Sequence, residues 1–207
     1  MKTTRAWDVI SNKTPSTQKE LLSILLENRG ITTQKEEEKF LHPNLLDVSA
    51  KSVGIDEKQL QKTLKRIQEA LDKKEQIIIF GDYDVDGITA TAILWETLFS
   101  LSSTVAPYIP HRIDEGYGLS IKGVENVLEE FPQTKVIITV DNGIVAHEAV
   151  AFAKEKGIEV IITDHHAKAE TLPDAFSIVH TTALCGAGVA WVLSEEIIKG
   201  KAFEKNP

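Results

Sequence analysis

The chain has 207 residues, 42% hydrophobic and 26% charged, with a formal net charge of −8, the composition of a folded protein with room for one sizeable core and a smaller appendage. A single cysteine, Cys185, excludes an internal disulfide framework and an all-cysteine zinc site. The opening MKTTRAWDVISNK has no apolar h-region and no run of 18 apolar residues occurs, so neither a secretory leader nor a membrane span is expected, and the cytoplasm is the expected compartment.

Charge is unevenly spread. Residues 1–76 carry 14 Lys and Arg against 12 Asp and Glu, whereas 77–207 carry 9 against 19, a net −10. Such a region repels a phosphate-bearing substrate unless cations intervene, and divalent metals at carboxylate clusters are the usual means. The alternative is an acidic solvated surface.

In chain order, STQKELLSILLENRG offers Ser16 or Thr17 as an N-cap, Leu21, Leu22, Leu25 and Leu26 on one stripe, and Gly30 as a stop. A second helix is predicted over 35–41, before Pro43, and a third from about 56 to 72, with Leu60, Leu64, Ile67 and Leu71 at helical spacing. Residues 1–75 therefore read as a small helical lead-in. From Gln76 the pattern alternates. QIIIF, TVAPYIP, KVIITV and EVIIT are short and β-branched, as parallel strands buried on both faces are. Helices are predicted between them over 88–100, 119–131 and 144–156. The predicted fold over 76–207 is α/β, a parallel sheet with helices on both faces. Ligands of such sheets bind beyond the carboxyl ends of the strands.

The first predicted strand runs into FGDYDVDG, which places Asp82, Asp84 and Asp86 at alternate positions. Three like charges repel, and burying one unpaired is expensive, so a cation is implied. After the third strand comes Asp141 in VDNG; after the fourth come Asp164, His165 and His166. A lone Asp-Gly is ordinarily a turn and a lone histidine pair ordinarily surface, but candidates at three strand ends of one sheet edge point to a metal site. Carboxylates with imidazole and no thiolate suit Mn²⁺ or Mg²⁺ better than zinc. An aspartate bridging two ions about 3.5–4 Å apart gives the arrangement used for in-line displacement at phosphorus.

Gly87 opens a helix whose amides could hold a phosphate oxygen, or it relieves a tight turn. PHRIDEGYGLS follows the second strand; His111 and Arg112 bring positive charge there, and an arginine fork fits phosphate. The alternative pairs Arg112 with Asp114 or Glu115. Tyr117 is either a base-stacking or a structural tyrosine. CGAGVAW lacks the third glycine and following acid of a dinucleotide fingerprint, and neither a P-loop nor a nucleophile elbow occurs.

Taken in order, GDYDVDG, PHRIDEGYG, VDNG, TDHH and LCGAGVAW resemble the DHH phosphoesterase superfamily, and within it the single-stranded-DNA-specific exonucleases. The resemblance is densest from Gln76 to about Leu193, and FLHPNL is similar to the start of such proteins. It implies a metal-dependent phosphodiesterase that removes nucleotides from the 5′ end of single-stranded DNA in repair and recombination, using two Mn²⁺ or Mg²⁺ ions. A single-strand-binding protein or a helicase are the implied protein partners. Residue by residue, it implies Asp84 and Asp86 as metal ligands, with Asp82 near the place where many relatives offer a histidine and Phe80 on that place. It implies Asp141 as the bridging ligand, His165 as a ligand and His166 as the contact to the scissile phosphate. Asp164 is implied to orient His165, and His111 and Arg112 to hold the substrate phosphate.

Two departures qualify the resemblance. Relatives carry a further ligating aspartate after the GAGVA helix, then a second DHH-associated domain and a nucleic-acid-binding β-barrel, so a chain ending at Pro207 is expected to be an incomplete catalytic domain. The link from SIVH to TTALCGAGVA is also shorter than is common, without a proline- and aromatic-bearing loop. The alternatives are a superfamily hydrolase of oligoribonucleotides, cyclic dinucleotides or pyrophosphate, and a non-catalytic scaffold domain.

Overall fold

The computed structural model describes residues 10–204. The reading of the first residues as free of a leader falls mostly on 1–9, outside the described residues. Among the described residues no helix is long and apolar enough to cross a membrane.

The chain divides into two compact units, Met1–Asp47 and Val48–Pro207. In the first, α1 (Gln18–Glu27) starts at Thr17, whose hydroxyl accepts from the Glu20 amide, and Gly30 follows it in the left-handed region (φ 77), a conformation glycine adopts without strain. Helix α2 (Gln34–Leu41) opens on a capping box between Thr33 and Glu36, and a 3₁₀ turn covers Leu45–Asp47.

The second unit begins with α3 (Glu57–Asp72), capped by Asp56. There follow β1 (Gln76–Phe80), α4 (Val85–Phe99), β2 (Val105–Tyr108), α5 (Ile121–Glu130), β3 (Thr134–Val140), α6 (His147–Glu155), β4 (Glu159–Asp164), β5 (Ser177–His180) and α7 (Gly186–Glu204). The five strands pair in parallel in the order β2-β1-β3-β4-β5. The β-branched runs send alternate residues to opposite faces, as strand geometry requires. Ile77, Ile79, Val136, Ile138, Ile161 and Val179 pack with α3, α4 and α7. Ile78, Phe80, Ile137, Val160 and Ile162 pack with α5 and α6. The α/β sheet with helices on both faces is thus as predicted. Each fully buried isoleucine contributes roughly 1.5–3 kcal/mol.

Some elements differ from the expectation. SIVH forms the edge strand β5, α4 starts three residues early, at Val85, because the Asp84 carboxylate caps it, and α6 starts three residues late, at His147. The edge strand is tied to α3: the Ile178 amide donates to Gln59 Oε1 (3.0 Å) and the Thr63 and Ser177 hydroxyls lie 2.6 Å apart, which protects an otherwise open strand edge. At the amino ends of the strands, buried Arg66 of α3 holds Glu75 (Nη2 to Oε2, 2.7 Å) and, through Nε, Glu159.

Candidate metal centre

The parallel register puts the carboxyl ends of β1, β3 and β4 side by side, and each ends in the residues singled out by the sequence. Phe80 closes β1 pointing into the apolar core, stacked on Tyr108 with ring centroids 5.3 Å apart, so it lies apart from the cluster. The chain then turns back through Gly81 to Asp84, and three aspartates diverge. Asp82 is fully buried; one oxygen accepts from the Tyr83 amide (2.8 Å), while Oδ2 is buried with no hydrogen-bond partner. Asp84 is exposed and accepts from the Gly87 amide (2.9 Å). Asp86 accepts from two amides at the start of α7, Gly186 and Ala187, each at 2.7 Å.

Asp141 ends β3 with its side chain 2% exposed and its backbone in the left-handed region (φ 63), a conformation that is uncommon outside glycine and marks a constrained site. Its Oδ1 is buried without a hydrogen-bond partner, although His165 Nε2 lies only 3.0 Å away. Close approach without alignment is what two ligands facing a common point present. His165 Nε2 also lies 3.6 Å from Asp86 Oδ2. Ligand atoms of Asp82, Asp84 and Asp141 fall within 4.8 Å of one another, as do those of Asp141, His165 and His166, so Asp141 is common to both groups.

The electrostatics follow from the crowding. Burial, and then the neighbouring Asp86 and Asp84 charges, push the Asp141 carboxyl up to about 7. Burial raises Asp82 too, with Asp84 adding to it and the Tyr83 amide opposing. Asp86 goes the other way: burial pushes it upward, but the Ala187 and Gly186 amides outweigh that and hold it below the usual carboxylate value.

Asp164 is 1% exposed and fully used. Its Oδ2 accepts from the Ile144 amide (2.9 Å), and its Oδ1 accepts from the His165 and His166 amides and lies 2.8 Å from His166 Nδ1. The ring it orients is therefore that of His166; it reaches His165 only through the backbone. Burial lowers the His166 pKa, but the Asp164 hydrogen bond and charge prevail and raise it. His166 Nε2 faces the Tyr117 hydroxyl at 3.4 Å.

The loop after β2 separates its two cations. His111 Nδ1 turns to Asp114 (2.9 Å), and the buried Glu115 is occupied by the Tyr108 hydroxyl and the His111 amide, both at 2.8 Å. Arg112 is paired with neither acid; its guanidinium lies over the Tyr83 ring, 5.0 Å from the centroid, beside the aspartates. Gly87 does not present a free amide, since Asp84 already accepts from it. Its value is clearance: a Cβ there would fall 2.6 Å from the Asp82 Cβ, and one at Gly186 would fall 2.3 Å from Asp141 Oδ1. Gly186, Glu115 and the buried Asn142 are contributors that motif reading missed. Small residues before a helical run are the only signal Gly186 leaves, and Asn142 reads as a turn residue.

These features define a class: a parallel α/β domain whose strand-end carboxylates and imidazoles can hold divalent metal. The DHH family, N-terminal domain, matches residues 76–206, and the chain belongs to that family. Over 187 residues, 86% of this chain, it is 37% identical to the single-stranded-DNA-specific exonuclease RecJ of Bacillus subtilis strain 168. It spans 23% of that relative's length. Among solved structures it is similar to exonuclease RecJ bound to manganese, with a TM-score of 0.63 and 37% identity over 69% of this chain and 38% of that one. It is also similar to RecJ from Thermus thermophilus in complex with Mn²⁺, with a TM-score of 0.62 and 32% identity over 86% of this chain and 24% of that one.

Proposed function

We propose that this chain is the metal-holding part of a two-metal phosphodiesterase, a 5′ to 3′ exonuclease on single-stranded DNA that serves repair and recombination. The observation that carries the reading is the pair of buried carboxylate oxygens without partners, Asp82 Oδ2 and Asp141 Oδ1, set beside His165 Nε2. Buried polar atoms are nearly always satisfied, and a hard divalent cation such as Mn²⁺ or Mg²⁺ fits this donor set. Asp82, Asp84 and Asp141 would hold one ion and Asp141 with His165 the other. Asp86, with two amides already bound, retains lone pairs on the His165 side.

Bound there, divalent ions would polarise the phosphate and generate a nucleophile from water. The protein's own groups do the rest. Asp164 fixes the His166 ring and favours its charged form, which suits a contact to a phosphate gaining negative charge. Arg112, free of the loop acids, is placed for the substrate phosphate; His111, turned to Asp114, acts through the loop. Identity with exonucleases that act on single-stranded DNA supports that substrate, and a single-strand-binding protein or helicase is the fitting partner.

The test is to incubate the chain with Mn²⁺ and, separately, 5′-labelled single-stranded DNA, duplex DNA, short RNA and cyclic dinucleotides. Release of 5′ mononucleotides from single-stranded DNA alone is expected. Preference for RNA or cyclic dinucleotides would move the chain to another branch of the family, and Mn²⁺ binding without any hydrolysis, both by this chain and by a form extended to the span of its relatives, would make it a scaffold.

A further inference from the structure

Asn142 is 1% exposed and its side-chain amide is completely engaged. Nδ2 donates toward three carbonyls, Val140 (2.9 Å), Gly81 (3.0 Å) and Phe80 (3.3 Å), while Oδ1 accepts from the Leu119 amide (3.1 Å). One side chain thus joins three segments: the end of β1, one residue before Asp82; the end of β3, one residue before Asp141; and the chain just after Tyr117. Its own backbone is held as well, since the Thr139 hydroxyl donates to the Asn142 carbonyl (2.8 Å). Gly118 packs against it, a Cβ at that position falling 3.2 Å from the Asn142 Cβ.

Resting on the metal reading above, we propose that Asn142 is the positioning residue that sets how Asp82 stands relative to Asp141. The chemistry is selective. Three carbonyl oxygens converging on one point need a donor with two N–H groups, and the Leu119 amide opposite needs an acceptor; among side chains of this size only a primary amide supplies both. The strands alone do not fix the relation, because Asp82 and Asp141 both lie past the last ladder pair of β1 and β3, Phe80 with Thr139. A buried polar network of this kind specifies one arrangement where apolar packing would permit several.

The test compares wild type, Asn142→Ala and Asn142→Ser, which keeps one donor, with Thr134→Val as a control that deletes a partly buried hydrogen bond at the far end of β3. Calorimetric Mn²⁺ titration and the metal-free melting temperature are measured together. Asn142→Ala is expected to weaken Mn²⁺ binding at least tenfold, Asn142→Ser by less, and Thr134→Val to lower the melting temperature without changing affinity. Amide hydrogen exchange in metal-free protein is the second arm: protection of Gly81 to Asp84 falls in both Asn142 variants while the strand interiors keep theirs. Wild-type affinity in Asn142→Ala, or losses that follow melting temperature in all variants, overturns the proposal. Should wild type bind no Mn²⁺, the metal reading fails by itself, and unchanged exchange at Gly81 to Asp84 would then overturn the positioning role separately.

Discussion

The two edges of one sheet handle buried charge in opposite ways. At the amino edge, Arg66 sits between Glu75 and Glu159, and the chain supplies cation and anions together. At the carboxyl edge, Asp82, Asp84 and Asp141 gather with one backbone in the left-handed region, and among the described residues no lysine or arginine forms an ion pair with any of the three. The same strands end in both. The difference teaches that the fold can neutralise buried charge where it needs stability and leaves it open where a ligand is to enter, an exchange of stability for function.

Arg66→Ala should break the comparison most severely. Removing one partner from a buried ion network costs about 3–5 kcal/mol, and the partial exposure of Glu159 argues for the lower end, about 3 kcal/mol in urea unfolding. Next in size, Mn²⁺ at a hundredfold excess over its dissociation constant should stabilise wild type by about 2.7 kcal/mol, while leaving Asp141→Ala unmoved. A wild-type melting curve indifferent to millimolar Mn²⁺, Mg²⁺ and Ca²⁺ would remove the metal site.

Gly186→Ala probes the same edge sterically. Its methyl would fall 2.3 Å from Asp141 Oδ1, and overpacking of that kind costs about 1–3 kcal/mol. Weakened Mn²⁺ binding should accompany the loss. Asp141→Asn should act with the opposite sign to Arg66→Ala. Asparagine tolerates the left-handed backbone, and removing one of several repelling charges should stabilise the metal-free protein at pH 8 by about 1 kcal/mol, the worth of a tenfold shift in protonation. A drop in metal-free stability would show that the cluster is compensated by something else.

The last test is the pH dependence of the metal-free protein. With Asp141 raised to about 7 from an unfolded value of about 3.9, the folded state binds the proton more tightly. Its contribution is present below about pH 4 and is lost as pH rises through 7. The raised His166 acts in the same direction, present below about 6.5 and lost as pH rises through its folded value. The lowered Asp86 contributes above its unfolded value and is lost only in acid. Thermal melts of metal-free protein should therefore show a decline from pH 5 to pH 8, shallower in Asp141→Asn. Protons and metal compete for Asp141, so Mn²⁺ affinity should rise over the same window.

The sheet was legible because QIIIF, KVIITV and EVIIT are short, mostly apolar and rich in β-branched residues, the pattern of doubly covered strands. SIVH was not: four residues, two of them half-buried, leave no periodic signal, and its pairing depends on Gln59 and Thr63 of α3, more than a hundred residues away. The gathering of Asp82, Asp84, Asp141 and His165 at one sheet edge was legible from carboxylates and imidazole at strand ends. The engagement of Asp86 by α7 was not, since Gly186 lies 100 residues distant. Of the two readings of Gly87, the geometry favours the tight turn over a free amide, because Asp84, read as part of a loop, is the cap that already accepts from that amide.

Two of the three aspartates of FGDYDVDG each face a helix start: Asp84 caps α4, and Asp86 receives the first amides of α7. Helix starts carry partial positive charge, so part of the repulsion is answered by the backbone before any ion arrives. The fold is therefore expected to stand without metal, which adds to its stability but is not required for it, unlike small zinc domains that unfold when stripped. Stripping with a chelator should be reversible, and cycles of stripping and refilling should return the same far-ultraviolet circular dichroism each time.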